Sequence, residues 1–173
     1  MKIYHTLKPI FYSNSKVLIL GSIPSVKSRE IGFYYAHPSN RFWPTLEYIY
    51  NDKIGTTKED KILFLKKHNI ALFDVIKSCD ISSSSDNTIR NPEINDLTTI
   101  LTNSKIKAIF TTGKKAYQLY QKYCYPKTKI EAIYLPSTSG ANCRMTKKEI
   151  ILAYSKIKEY TDEKIPNILL ICN

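Results

Sequence analysis

Apolar residues in this chain fall into short unbroken runs separated by stretches of helical period. Val17 to Leu20 are four consecutive aliphatics closed by Gly21 and Pro24, the pattern of a strand buried on both faces that ends in a turn. Ile70 to Ile76, Ile106 to Thr112 and Ile130 to Leu135 repeat that pattern, with Asp74 near the end of the first and Gly113 closing the second. Between them the period changes. Phe42, Leu46 and Ile49 recur at helical spacing through Tyr50, and Thr57 with Asp60 offers a helix start ahead of Ile62 to Leu65, stopping near Asn69. Asp96 to Leu101 and Lys114 to Tyr123 read as further helices. Thr146 and Glu149 form a capping box ahead of Ile150, Ile151, Tyr154 and Ile157. Strands alternating with helices imply a three-layer α/β/α sandwich around a central, mainly parallel four-stranded sheet.

The remaining segments are less regular. Met1 to Lys16 is a mixed, aromatic opening segment expected to pack on the domain, and Ile168 to Cys172 suits either a strand or a docked tail. Ser82 to Asn95, with four consecutive serines, is the longest irregular stretch and reads as a binding loop rather than a spacer. No repeat or linker divides the chain, so residues 1–173 are expected to form one domain, large enough to bury roughly 70% of its unfolded surface.

Charge and cysteine content narrow the function. Lys and Arg number 26 against 15 Asp and Glu, a formal charge of +11 that suits a polyanionic partner or simply solvates the surface. Cys79, Cys124, Cys143 and Cys172 are widely spaced with no CxxC pair, so neither a metal nor a cofactor is expected. With no apolar run near the ~20 residues needed to span a bilayer and no signal-like opening, the protein is expected to be cytoplasmic and not membrane-bound.

Candidate chemistry gathers after the first strand, where open α/β sheets place their sites. Gly21, Ser22, Ile23, Pro24 and Ser25 form a turn that can expose backbone amides to an anion or a base edge. Phe33, Tyr34 and Tyr35 follow, three adjacent rings without the period that would bury all of them. Such rings stack on nucleobases at about 1 to 3 kcal/mol per base, or fill a core. His37 and Asn40 are the nearest polar groups, each equally suited to a turn. Arg41 is suited to a phosphate or to solvent, while Phe42 and Trp43 are assigned to the core. No GxGxxG or P-loop pattern is present, which disfavours a nucleotide-binding domain.

GSIPS, FYYAHPSNRFW, LFDVIKSCDISSSSDNTIRNPEIND and LPSTSGAN, in that order, resemble the uracil-DNA glycosylase superfamily, and most of all its hypoxanthine-DNA (deoxyinosine) glycosylase family. HPSNRFW is also similar to the matching segment of mismatch-specific uracil-DNA glycosylases. The resemblance implies a monofunctional enzyme that flips a deaminated base from double-stranded DNA and hydrolyses its N-glycosidic bond, acting as a monomer without a cofactor. It assigns the catalytic role to Asn40, base stacking to Tyr35 supported by Tyr34, and base contacts to Gly21, Ser22, Ile23, Pro24, His37 and Thr112. DNA contacts fall to Ser25, Arg41, Ser137, Thr138, Ser139, Gly140 and Asn142.

This chain departs from the family in three places. Ile23 stands where mismatch-specific relatives carry the Asn that positions water, Gly140 where Pro is common, and Thr112 where an Asn would present a two-pronged amide. Asp86, Arg90 and Asn91, in the third matched segment, either organise the loop or touch DNA. The competing expectations are a uracil or mismatch-uracil glycosylase, and a damaged-DNA binder that has lost hydrolysis.

Overall fold

A computed structural model describes residues 1–162. The apolar runs form a fully parallel sheet from β2 (Val17–Gly21), β3 (Ile70–Asp74), β6 (Ala108–Thr112) and β7 (Ala132–Leu135), in the order β3-β2-β6-β7. Every residue of β2, β3 and β6 is buried. Because successive side chains on a strand point to opposite faces, both faces of this sheet are covered. The expected α/β sandwich is therefore the observed one.

Register sets up the site. Gly21 pairs with Asp74, Leu20 with Thr111, and Thr112 with Leu135, so the four strands end side by side. The chain leaves β2 toward β3 on one side, and β6 pairs on the other, which makes the end of β2 the topological switch point.

The helices follow their capping signals. Around the sheet lie α2 (Phe42–Tyr50), α3 (Lys58–Lys67), α5 (Lys114–Leu119), α7 (Lys147–Tyr154) and α8 (Lys156–Thr161). Thr57 with Asp60 and Thr146 with Glu149 make full capping boxes on α3 and α7. The helix expected over Asp96 to Leu101 is shorter, α4 (Thr98–Thr102), and the one expected over Lys114 to Tyr123 changes pitch after Leu119 into a π turn over Tyr120–Cys124 before α6 (Tyr125–Thr128).

Three elements differ from the sequence reading. The loop after Gly21 contains a short helix, α1 (Val26–Ile31), capped by Ser25 and closed by Gly32 in the left-handed conformation. The run from Ile70 is two strands, because the chain turns at Val75 and continues as β4 (Ile76–Asp80). The opening segment and the serine-rich stretch supply its partners, β1 (Lys2–Tyr4) and β5 (Arg90–Ile94), in a second, antiparallel sheet ordered β1-β4-β5. Its small core is Ile3, Ile76, Cys79 and Ile89, with Ile23 packed against it. These strands were hidden because β5 reads RNPEI, a polar edge segment with no buried residue and no apolar alternation to announce it. The apolar stretch Ile168 to Cys172 lies outside the described residues.

Candidate active site

Gly21 closes β2 beneath three side chains from other parts of the chain. A Cβ there would lie 2.5 Å from Asp74 Oδ1 and 3.5 Å from both Thr112 Oγ1 and Tyr35 Oη, so only glycine lets these three side chains meet over the strand end. Tyr35 Oη and Thr112 Oγ1 are hydrogen-bonded at 3.2 Å. The Tyr35 ring lies parallel to Phe42, with centroids 3.8 Å apart and an interplanar angle of 12°. Tyr35 reaches this position with φ of +52°, in the left-handed region that a bulky residue seldom occupies. Burial, and next the negative charge of Asp74, push its phenol far above the ordinary value, so it remains a neutral hydroxyl.

Asn40 lies two residues before Phe42, at the entry to α2. Its Oδ1 accepts the Phe42 N–H at 2.9 Å and so serves the first turn of α2. Among the described residues its Nδ2 makes no hydrogen bond, leaving two donors. His37 is exposed, and its Nδ1 accepts the Ser39 N–H at 3.1 Å and meets the Ser39 hydroxyl at 2.8 Å, closing the turn before Asn40.

The loop after β7 packs on that turn. Arg41 N–H donates to Thr138 O at 3.0 Å, and its guanidinium donates to Met145 O at 2.7 Å and Asn142 O at 2.8 Å. Gly140 sits so close to Ser39 that a Cβ would come within 2.9 Å of the serine Cβ. Asn142 Nδ2 donates to Ser137 O, stitching the loop to itself. Thus Tyr35, Asn40 and the 136–145 loop converge on one end of the sheet.

Several expected residues have other surroundings. Tyr34 is in the core, 3% exposed, with its hydroxyl donating to Lys8 O, so its ring has no open face for a base. This corrects its assignment to the substrate. It borders a separate concavity of about 470 Å³ that also includes Arg29 and Lys58. Thr138 is 1% exposed, which leaves Ser137 and Ser139 as the accessible hydroxyls of the far loop and corrects the expected phosphate contact of Thr138. Ser25 is exposed, but its hydroxyl accepts the Ser28 N–H as the cap of α1. Pro24 is buried, and the Ile23 side chain belongs to the second sheet's core. Among the described residues neither the Ser22 nor the Ile23 amide donates a backbone hydrogen bond.

Three polar groups near this strand end were not assigned to the site from the sequence. Asp74 is buried, with Oδ2 bonded to His5 Nε2 at 2.7 Å. Asp86, from the serine-rich loop, accepts the Ser22 hydroxyl at 2.7 Å. Asp74 was noted only as a strand end and Asp86 as a residue that organises its loop or touches DNA, while His5 carries no local signal because its partner is 69 residues away. Among the described residues no cluster of three His, Cys, Asp or Glu side chains is arranged to hold a metal ion.

The model of the uracil DNA glycosylase superfamily matches residues 9–158. The chain belongs to that superfamily. It is 36% identical over 138 residues to a hypoxanthine DNA glycosylase of Methanosarcina acetivorans, a match covering 78% of this chain and 85% of that protein. A hypoxanthine DNA glycosylase of Methanosarcina barkeri is 32% identical over 143 residues, 80% of this chain and 88% of the relative. The solution structure of a candidate uracil DNA glycosylase from Methanosarcina acetivorans superimposes with a TM-score of 0.80 at 29% identity, covering 94% of this chain and all of that one. As a DNA glycosylase of this superfamily, the enzyme acts on DNA. Among the described residues no helix is long and apolar enough to cross a membrane.

Proposed function

We propose that this glycosylase flips a deaminated base out of double-stranded DNA and hydrolyses its N-glycosidic bond, with hypoxanthine as the preferred base. The observation that carries the reading is the convergence of Tyr35, backed by Phe42, with Asn40 and the amides of Ser22 and Ile23 at the end of β2. A flipped base stacks on the face of Tyr35 opposite Phe42, and the two amides donate to its carbonyl. Flipping costs a few kcal/mol, least for a mispaired base, so weak pairing contributes to selection.

Bond cleavage leaves an oxocarbenium-like sugar and puts the bonding electron pair on the base. Donors already aimed at the departing base stabilise that charge without reorganising. Asn40 contributes through its Nδ2 donors, since a carboxamide is a poor base. Thr112, held by Tyr35, offers a single hydroxyl to the base edge. Ser137, Ser139 and the backbone around Gly140 contact the DNA phosphates, and Arg41 acts by fixing that loop. The protein acts as a monomer through one catalytic domain.

The test is excision from otherwise identical duplexes carrying hypoxanthine, uracil or xanthine, read as alkali-sensitive strand breaks in single turnover. The proposal expects hypoxanthine to be released fastest. Faster release of uracil would make this a uracil glycosylase, and duplex binding without any abasic site would make it a binder.

A further inference from the structure

The end of β2 gathers two carboxylates that the reading above does not use, one buried and one partly accessible. Asp74 is bonded to His5 and only 5% of its side chain is exposed. Asp86 lies on a 3-10 turn (Asp86–Thr88) in the serine-rich loop and remains partly accessible. One of its oxygens accepts the Ser22 hydroxyl, and among the described residues the other makes no hydrogen bond or ion pair. Ser22 adjoins Gly21, over which Tyr35, Asp74 and Thr112 meet. The loop's own side chains supply no base, because Ile23 is turned into the second sheet's core. Asn40 is a neutral amide already committed to α2 through its oxygen.

We propose that the free oxygen of Asp86 holds and deprotonates the attacking water, making Asp86 the catalytic base of this glycosylase. The inference rests on the glycosylase reading. Water adds through its oxygen to C1′ of the sugar while the bond from C1′ to the base nitrogen breaks and its electron pair leaves with the base. The water proton passes to the Asp86 carboxylate, which afterwards releases it to the departed base or to solvent.

The surroundings suit a base that must be both charged and reactive. Burial raises the Asp86 pKa, the Ser22 hydrogen bond lowers it, the Asp74 charge raises it and Lys115 lowers it. The charged and titratable groups facing Asp86 are thus Asp74 on β3, Cys79 on β4 and Lys115 on α5. A carboxylate whose folded pKa is raised contributes stability below its ordinary pKa that is lost as pH rises through the folded value, so the ionised Asp86 costs the fold stability at neutral pH.

Asp86→Asn keeps an acceptor for Ser22 and removes the base. Its single-turnover excision of hypoxanthine should fall on the order of 100-fold or more, with duplex affinity and melting temperature at pH 7 equal to or above those of the wild type. The wild-type rate should decline toward acid with one ionisation, and that limb should vanish in Asp86→Asn. Ser22→Ala removes the bond that lowers the pKa, so its acid limb should move to higher pH. The proposal is overturned if Asp86→Asn keeps the rate or the acid limb, or if its lost activity tracks a lowered melting temperature. An unmoved limb in Ser22→Ala would also count against it. Failure of the wild type to excise any base would instead refute the glycosylase reading.

Discussion

Asn40 does two things with one side chain, and they can be separated. Its Oδ1 accepts the Phe42 N–H in the turn that enters α2, while Nδ2 is left for substrate. Asn40→Ala should cost about 1 kcal/mol through the lost hydrogen bond to Phe42 N–H and on the order of 100-fold in excision, with little change in duplex affinity. Asn40→Asp retains the acceptor and should recover the stability, yet stay defective in excision because both donors are gone. Urea unfolding and single-turnover assays on the two variants check this, and recovery of excision in Asn40→Asp would show that the residue acts only through the helix. Asn40 and Tyr35 stand out in the sequence because both lie in a compact run of polar and aromatic residues after a strand end. Tyr34, one position earlier, was not separable from Tyr35, since only its bond to Lys8 O, 26 residues back, turns its ring into the core.

Among the elements, the loop of residues 136–145 depends on Arg41. Two guanidinium bonds to Met145 O and Asn142 O use the planar fork of arginine, which a lysine cannot reproduce. Arg41→Lys, which preserves charge, should therefore speed amide hydrogen exchange across residues 137–145 and weaken excision. Unchanged exchange with weaker DNA binding would identify a direct phosphate contact instead. A second tie joins the end of α2 to the end of α3, where Asp52 accepts Lys67 Nζ at 2.8 Å and His68 Nε2 at 2.7 Å. The Lys67 hydrogen bond first, and then that of His68, lower the Asp52 pKa. A lowered folded pKa contributes stability above the ordinary carboxylate value, and that stability disappears as pH falls through the folded value, below about pH 4. Asp52→Asn should accordingly melt lower than wild type at pH 7, with the difference closing in acid. The helices carrying capping boxes were readable because both halves of each box lie within four residues. β1 and β5 were not, because a polar edge strand becomes a strand only when a neighbour supplies its hydrogen bonds.

At the scale of the whole molecule, the +11 charge and the DNA substrate together predict a strong salt dependence. Duplex affinity should fall linearly on logarithmic axes with a slope of about −0.9 per phosphate neutralised. A flat line in a titration from low to moderate salt would assign the surplus lysines to solvation alone. By itself, the sequence determined the four-stranded sheet, the capped helices and the neighbourhood of the site, since buried strands, caps and turn residues are specified by contiguous positions. Tertiary structure alone decided which polar groups share the strand ends. Ser22 meets Asp86 across 64 residues, His5 meets Asp74 across 69, and Arg41 holds a carbonyl 104 residues away. Such contacts leave no local periodicity, because they arise when sheet register brings distant chain segments to the same strand ends.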